Sequence, residues 1–285
     1  MTRIAVAGSI SCDQIFELSE PPLAHSKIRA VSKIRCLGGS ATITAAWLGK
    51  LGHSVQLFGQ VGNDAEGEWC MSELAKCKNL DISNVEVLPG STGVAVVLSS
   101  GADKRIVTFK DASTPRLRTI PEITGHNHLH IVHPDNDLNF DGSLNASIKN
   151  NPGMTMSIDL NGRSGLPYLR NADIAFTNFD EVRRTFRRPF DEIRASILDS
   201  MSTRSPVLVV TMGSGGAAAF TPGASWKQPL KDNVEIVDRT GAGDTFNAGY
   251  LDSFLNHQPI EANLEHGLAI AAKCLTGKGG IPWLS

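Results

Sequence analysis

The sequence predicts an α/β fold in which a mainly parallel central sheet is covered by helices on both faces and a small β sheet forms a lid. Short apolar runs alternate along the chain with stretches of helical periodicity. Several of these runs are apolar at every position, which is typical of parallel strands that are buried on both faces. Two other regions, about 13–36 and 92–110, alternate polar and apolar residues, and they predict the strands of the lid.

The core elements follow one another in order along the chain. Six apolar runs are predicted as strands, at residues 4–7, 55–58, 130–133, 156–160, 174–177 and 207–211. The helices predicted to cover them are 41–51, 66–76, 179–186 and 190–200. No repeat or low-complexity linker separates these elements, so we expect one domain over residues 1–285 with the lid inserted in it.

The lid is predicted from a turn and from its place in the chain. Residues 93–110 indicate two strands joined by a polar turn at 99–104, and both lid regions flank the first helix. This order places a small sheet over one end of the main sheet. Because an exposed sheet edge can pair with its own copy, the lid also predicts a homodimer.

The composition favours a small molecule as the partner. Of the 285 residues, 41% are hydrophobic and 20% are charged, and the net charge of -2 supplies no basic field for nucleic acid or an acidic membrane. The five cysteines include no C-x-x-C pair, and no run reaches the ~18 apolar residues of a membrane span. We therefore expect a cytoplasmic protein without a nucleic-acid or membrane partner.

The strongest chemical signal lies at residues 237–249, where a strand ends, Gly241 and Gly243 follow, and an apolar helix begins near Asp244. Glycines let several backbone N–H groups point at one site, and a helix N-terminus adds partial positive charge. A transferring phosphoryl group suits such a position, and Asp244 could accept the proton of an attacking hydroxyl. The simpler alternative is that Asp244 caps its helix and the glycines form a tight turn.

The longer string Asp238-Arg-Thr-Gly-Ala-Gly-Asp-Thr-Phe-Asn-Ala-Gly249 resembles the C-terminal signature of the ribokinase-like (PfkB) carbohydrate kinases. The resemblance implies an ATP-dependent kinase that transfers the γ-phosphoryl group to a hydroxyl of a small sugar or sugar derivative. It also implies that Gly241, Ala242 and Gly243 form the anion hole and that Asp244 is the catalytic base. Further motifs follow in the family's order along almost the whole chain.

Two N-terminal motifs resemble the acceptor site of that family. Residues 8–13 are similar to its first strand and turn, and residues 38–52 resemble its N-terminal signature. The substrate-binding residues that these motifs imply are Asp13, Gly38, Gly39, Ser40 and Ile43. Residues 92–98 and 105–109 look like the family's lid hairpin, and 159–163 resemble its D-x-N-x-R motif.

Ile43 departs from the family pattern, which usually has an asparagine that contacts the sugar at this position. Either the substrate offers fewer hydroxyls on that side or another residue supplies the contact. A nucleoside such as adenosine is therefore kept as an alternative acceptor. A second alternative is a sugar-binding or nucleoside-binding protein that has the fold without catalysis.

Other motifs resemble the nucleotide and metal sites. The spacing of Asn178 and Glu181 matches N-x-x-E, which implies that they hold Mg²⁺, usually through water; read alone, they indicate a helix N-cap. The nucleotide contacts that the resemblance implies are Asn178, Thr211, Gly213, Gly216 and Gly279. Asp238 and Thr240 match the place where many relatives bind a monovalent cation through backbone oxygens, so K⁺ is a candidate ligand.

Neither the phosphate-loop motifs of other enzyme classes nor the histidines of the chain predict a different function. The chain has neither a Walker-type phosphate loop nor a G-x-G-x-x-G after its first strand, which argues against a P-loop kinase and a nicotinamide dehydrogenase. Four histidines, His126, His128, His130 and His133, resemble a metal cluster. A core strand is needed at that position, so the preferred interpretation is structural.

Overall fold

The computed structural model describes residues 2–284 except 22, 24, 26, 101–102, 111–122, 133–140, 161–165, 204 and 231–234. The strands are β1 (Arg3–Ala7), β2 (Ser11–Glu17), β3 (Ser32–Gly38), β4 (Ser54–Gly62), β5 (Leu80–Asp81), β6 (Val85–Leu88), β7 (Gly93–Ser100), β8 (Asp103–Phe109), β9 (His128–Val132), β10 (Thr155–Asp159), β11 (Ile174–Asn178), β12 (Val207–Thr211), β13 (Ala217–Phe220) and β14 (Ser225–Gln228). The helices are α1 (Ser40–Lys50), α2 (Ala65–Leu74), α3 (Asp141–Asn150), α4 (Leu166–Leu169), α5 (Phe179–Phe186), α6 (Phe190–Ser200), α7 (Ala242–Leu255) and α8 (Ile260–Leu275).

The main sheet is parallel over most of its width, which confirms the predicted fold class. Its strand order is β14-β13-β12-β11-β10-β9-β1-β4-β5, and β6 also pairs with β4. The strands from β12 to β5 pair in parallel, whereas β13 and β14 extend the sheet as antiparallel strands. This antiparallel edge was not predicted, because β13 is mostly alanine and β14 carries polar residues at its ends.

Helices cover both faces of the main sheet, and the residues of β1 explain why. Ile4 and Val6 belong to one hydrophobic cluster, which also contains residues of α1, α2, α7 and α8. Ala5 and Ala7 belong to the opposite cluster, which contains residues of α5 and α6. Since successive side chains of a strand point to opposite faces, a strand that is apolar throughout needs cover on both sides.

A second, four-stranded sheet has the order β3-β2-β7-β8. Within it, β7 and β8 form an antiparallel hairpin, and β2 pairs in parallel with β7 and antiparallel with β3. Ser11 is opposite both Gly38 and Gly93, so these three strands meet at the end that is connected to β1 and α1. The turn prediction at 99–104 falls partly on 101–102, which lie outside the described residues.

The histidines of β9 are part of the core. His128 is hydrogen-bonded at 2.7 Å to both Thr155 Oγ1 and Ser157 Oγ, and burial lowers the pKa of His128 to about 3. Among the described residues, no group of three or more His, Cys, Asp or Glu side chains could hold a metal ion. His133 lies outside those residues.

Within the described ranges, every helix is too short or too polar to cross a lipid bilayer.

Candidate active site

The candidate site lies at the carboxyl edge of the main sheet, where open α/β folds bind ligands. Asp159, Asn178 and Thr211 are the last residues of the neighbouring parallel strands β10, β11 and β12, so they share this edge. A cavity of about 330 Å³ opens beside it. Its lining includes Asn178, Thr211, Gly213, Ser214, Gly216, Leu230, Ile236, Arg239, Ala242, Gly243, Phe246, Leu268, Ala271, Ala272 and Leu275.

The turn that precedes α7 forms one wall of the cavity. Gly241 is the N-cap residue of α7 and has a φ of 75°, a value that disfavours residues with a Cβ atom. A Cβ on Gly241 would lie 2.7 Å from Gly280 Cα and 3.0 Å from Ile43 Cδ1, so space also requires glycine. No side chain caps α7 at this residue, so the first amides of the helix lack a side-chain acceptor there. At Gly243, by contrast, an added Cβ would meet nothing within 4 Å, so this side of the turn is open.

Asp238 holds the turn in place. Its Oδ1 accepts hydrogen bonds from the Thr240 backbone N at 2.9 Å and from Thr240 Oγ1 at 2.7 Å. Its Oδ2 accepts a hydrogen bond from the backbone N of Gly279 at 2.9 Å. A buried carboxylate with three donors therefore fastens the loop after α8 to the turn before α7.

Asp244 is half-buried in the first turn of α7, three residues after the N-cap. Burial raises the pKa of Asp244 to about 7, and the negative charges of Asp159, Asp13 and Glu181 contribute, whereas a hydrogen bond with Ser40 opposes the rise. Because Gly241 occupies the N-cap position, Asp244 is not the cap of its helix. The three groups whose charges act on Asp244 come from the separate elements β10, β2 and α5.

Asp13 projects from β2 toward the same region. Ser11 Oγ donates a hydrogen bond to Asp13 Oδ1 at 2.9 Å. Burial raises the pKa of Asp13 to about 6, with Asp238 adding to the rise and the Ser11 hydrogen bond and Lys104 opposing it. Gly38 on the neighbouring strand β3 lies against this carboxyl, and any side chain there would overlap it. Gly39 has a φ of 91°, and a Cβ there would lie 2.3 Å from the Ser9 carbonyl oxygen.

Ile43 lies beneath the turn before α7. It is 3% exposed, and its side chain is the neighbour that a Cβ on Gly241 or Gly280 would meet. Trp47, one turn further along α1, donates from Nε1 to the Gly280 carbonyl at 2.8 Å. The described packing of Ile43 is therefore against the glycine turns, and its contact with a substrate stays a prediction.

Asn178 caps α5 and also lines the cavity, and its contact with Mg²⁺ or a nucleotide stays a prediction. Its Oδ1 accepts hydrogen bonds from the backbone N of Asp180 at 3.0 Å and of Glu181 at 3.3 Å, so it caps α5. Its Nδ2 donates to Thr211 Oγ1 at 3.3 Å, and the residue also lines the cavity. Burial raises the pKa of the Glu181 carboxyl.

Of the predicted nucleotide residues, Asn178, Thr211, Gly213 and Gly216 line the cavity together. Gly279 is not among the lining residues, and its backbone N is bonded to Asp238. Its nucleotide contact therefore stays a prediction.

Three residues at the site escaped the sequence reasoning. Arg239 lines the cavity, and Asn247 donates from Nδ2 to Asp159 Oδ2 at 2.6 Å. Lys104, from β8 of the second sheet, donates from Nζ to Thr240 Oγ1 at 2.6 Å. A lysine beside a polar hairpin turn carries no signal for such a contact, whereas Arg239 lies inside the glycine motif. Residues 161–163 of the D-x-N-x-R motif lie outside the described residues.

Comparisons with known proteins identify a family, relatives and a shared fold. The family model for pfkB family carbohydrate kinases matches residues 1–284. An ATP-dependent ribose-1-phosphate kinase of Halopiger xanaduensis is 28% identical over 95% of this chain and 91% of its own, and a nucleoside kinase of Methanocaldococcus jannaschii is 27% identical over 98% and 92%. The structure of Arabidopsis thaliana ribokinase complexed with ribose and ATP shares the fold, with a TM-score of 0.78, 24% identity and coverage of 99% of this chain and 95% of that one.

Proposed function

This chain belongs to the pfkB family of carbohydrate kinases, and we propose that ATP is its phosphoryl donor, a small sugar or sugar derivative its acceptor, and Asp244 its catalytic base. The chain is thus a phosphotransferase that acts on a hydroxyl group. One observation carries the residue assignment. The Asp244 carboxyl lies in the same helix turn whose residues Ala242 and Gly243 line the cavity, and close enough to Asp13 for their charges to interact.

The proposed reaction follows from these positions. A hydroxyl of the acceptor, oriented by hydrogen bonds to Asp13, attacks the γ-phosphorus, and the bond between that phosphorus and the β,γ-bridging oxygen breaks. The hydroxyl proton passes to Asp244, whose pKa of about 7 suits a base at neutral pH. The backbone amides of residues 241–244 stabilise the charge on the transferred group.

The cavity is proposed as the nucleotide site because its lining combines apolar and polar residues. Apolar residues such as Ile236, Leu268 and Ala271 offer a surface for a base, whereas Asn178 and Thr211 carry polar groups at the strand ends. Arg239 adds a positive charge at the cavity wall beside the proposed anion hole. ATP placed in this way would direct its phosphates toward Asp244.

The donor set fits Mg²⁺. Burial raises the pKa of Asp244, and the negative charges of Asp159, Asp13 and Glu181 add to the rise, so four carboxyl groups interact in this region. The side-chain oxygen of Asn178 already caps α5, so Glu181 would be the main protein ligand, with Asn178 acting through water. When bound, Mg²⁺ would neutralise phosphate charge. For K⁺, the ligands implied by the resemblance are backbone oxygens at Asp238 and Thr240, and the side chains of these two residues are hydrogen-bonded to each other and contact Lys104.

Three acceptor hypotheses are separated by one assay. The purified protein is supplied with ATP, Mg²⁺ and, in turn, ribose, fructose, other sugars, sugar acids, adenosine and other nucleosides, and the release of ADP is measured. We expect ADP and a phosphorylated product with at least one sugar. Turnover with nucleosides alone would replace the sugar by a nucleoside, and ligand-dependent thermal stabilisation without ADP would indicate a binding protein.

The second sheet is proposed to act as a lid and as a dimer surface. It carries Asp13, so an acceptor bound there would lie between the two sheets. Three apolar residues of its edge strand β8 are about half exposed: Ile106 (54%), Val107 (61%) and Phe109 (55%). An edge of this kind favours pairing with a second copy. Light scattering at assay concentration would show a homodimer, and a monomer would remove this part of the proposal.

A cytoplasmic location is also proposed. All five cysteines are buried free thiols, which suits a reducing compartment. Fractionation of the native host with the chain detected in the soluble cell extract would support this location, and recovery from a secreted fraction would contradict it.

A further inference from the structure

Lys104 reaches from the second sheet to the turn before α7. Its Nζ lies 2.6 Å from Thr240 Oγ1 and 4.0 Å from Asp238 Oδ1, although 136 residues separate Lys104 from Thr240 in the chain. The side chain is 19% exposed. An ammonium group that is mostly withdrawn from water needs compensating charge and hydrogen bonds. The fold therefore provides the Lys104 ammonium group with partners in this turn.

Carboxylates of the second sheet, of the turn and of α7 supply that compensation. Burial lowers the pKa of Lys104, whereas the negative charges of Asp238, Asp13 and Asp244 raise it. Asp13 belongs to the second sheet, and Asp238 and Asp244 belong to the turn and to α7. The ammonium thus lies among the acidic groups of the proposed acceptor and anion sites.

The oxygens around Lys104 already have partners within the protein. Thr240 Oγ1 already donates to Asp238 and accepts from Lys104. The Thr240 carbonyl faces Cys274 Sγ at 3.4 Å, and the same sulfur lies 3.9 Å from the Gly279 carbonyl and 3.7 Å from the Gly280 carbonyl. Oxygens that could surround K⁺ are thus already in contact with an ammonium group and a thiol.

We propose that Lys104 is a built-in monovalent cation, which positions the anion-hole turn through Thr240 and Asp238 and makes free K⁺ unnecessary. The role in catalysis rests on the proposed kinase function, whereas the structural part of the proposal does not. Because Lys104 belongs to β8, its positive charge reaches the turn when the second sheet lies against the main sheet. Lys104 is a positioning residue, since its described contacts are with the turn.

The test uses two variants that differ in the space they leave. Lys104→Met fills most of the volume without charge, and Lys104→Ala leaves room for a small ion. At constant ionic strength, thermal stability is measured without substrates in tetramethylammonium, sodium, potassium and ammonium chloride. We expect the same Tm for the wild type in potassium and tetramethylammonium chloride. Lys104→Ala should gain Tm with K⁺ or NH₄⁺, and Lys104→Met should not.

Kinetics on the acceptor identified above provide the second readout. We expect kcat of both variants to fall about tenfold, with a smaller change in the KM for ATP, because a displaced anion hole weakens transition-state contacts. K⁺ or NH₄⁺ should restore part of the lost kcat in Lys104→Ala. The control is Lys278→Ala, which removes an exposed ion pair between the C-terminal loop and Glu17 of the second sheet and should leave both the rate and the cation response unchanged.

Each negative outcome has a separate meaning. Activation of the wild type by K⁺, or a Lys104→Ala protein whose Tm and kcat ignore small cations, would overturn the proposal. If the wild type phosphorylates no acceptor, the kinase function fails, while the stability measurements still decide whether Lys104 replaces a cation. If Lys104→Ala does not fold in tetramethylammonium chloride, folding in ammonium chloride would support the proposal and failure in both salts would contradict it.

Discussion

The two sheets supply the site in different ways. The main sheet and α7 present backbone groups and strand ends, such as the Gly241 turn and the paired ends at Asn178 and Thr211. The second sheet presents the long-range side chains Asp13 and Lys104, and Lys104 reaches Thr240 in the turn before α7. The comparison indicates that the half proposed to face the phosphates is built by local sequence, whereas the half proposed to face the acceptor depends on how the sheets meet.

The largest expected effect comes from the main-sheet half. Asp244→Asn should lower kcat by about 10²–10⁴-fold, because it removes the proton acceptor while leaving the nucleotide cavity intact. Fluorescent ATP-analogue binding and ADP release measure the two properties separately. Since folding raises the pKa of Asp244, its charge is unfavourable in the folded state above pH 7, and the variant should be at least as stable as the wild type at pH 8.

The matched control for that variant is Asp191→Asn. Asp191 is also an acidic residue in the first turn of a helix, α6, but its side chain is 83% exposed. If Asp244 served its helix alone, both substitutions would lower Tm slightly and spare kcat. A normal kcat for Asp244→Asn would remove the catalytic assignment.

The pH dependence of kcat/KM tests the carboxyl groups of Asp13 and Asp244 in one experiment. Asp244 must be ionised to accept a proton and Asp13 to accept hydrogen bonds from the acceptor, and their pKa values are raised to about 7 and about 6. The value of kcat/KM should therefore fall about twentyfold from pH 8 to pH 6, and log kcat/KM should approach a slope of two below pH 6. A profile that stays flat down to pH 5 would contradict the raised pKa values.

The variant Ile43→Asn tests whether the Ile43 side chain packs against the glycine turns or faces the acceptor. Because Ile43 packs under Gly241 and Gly280, a polar amide there should lower the free energy of unfolding by about 1–3 kcal/mol and lower kcat with it. Urea unfolding measures the first effect, and Ile43→Val, expected to cost about 0.5–1.5 kcal/mol, is the control. Unchanged stability together with a lower KM for a sugar would show that the side chain faces the acceptor.

Two glycines of one turn give the smallest and sharpest contrast. Gly241→Ala should lower the free energy of unfolding by at least about 1–2 kcal/mol, because its φ of 75° and its close neighbours disfavour a Cβ. Gly243→Ala meets nothing within 4 Å and should keep or slightly raise stability, while its methyl group at the anion hole raises the KM for ATP. Equal stability losses in both variants would contradict the described turn.

The sequence was sufficient to predict those parts of the structure that depend on residues close together in the chain. The core strands are apolar throughout, and the glycine motif sets both the turn and the start of α7. It was insufficient where contacts join distant segments. The packing of Ile43 against Gly280 and the contact of Lys104 with Thr240 depend on how the second sheet, α1 and the C-terminal loop come together, and no local pattern encodes that meeting. The strands β13 and β14 were missed because alanine and polar residues give little strand signal.

The most direct measurement is a crystal structure of the wild type with an unreactive ATP analogue, Mg²⁺ and the acceptor identified by the assay. The account predicts an acceptor hydroxyl about 2.6–3.2 Å from the Asp244 carboxylate, with the γ-phosphate facing the amides of residues 241–244. An acceptor bound away from Asp244, or phosphates that leave those amides facing solvent, would contradict it.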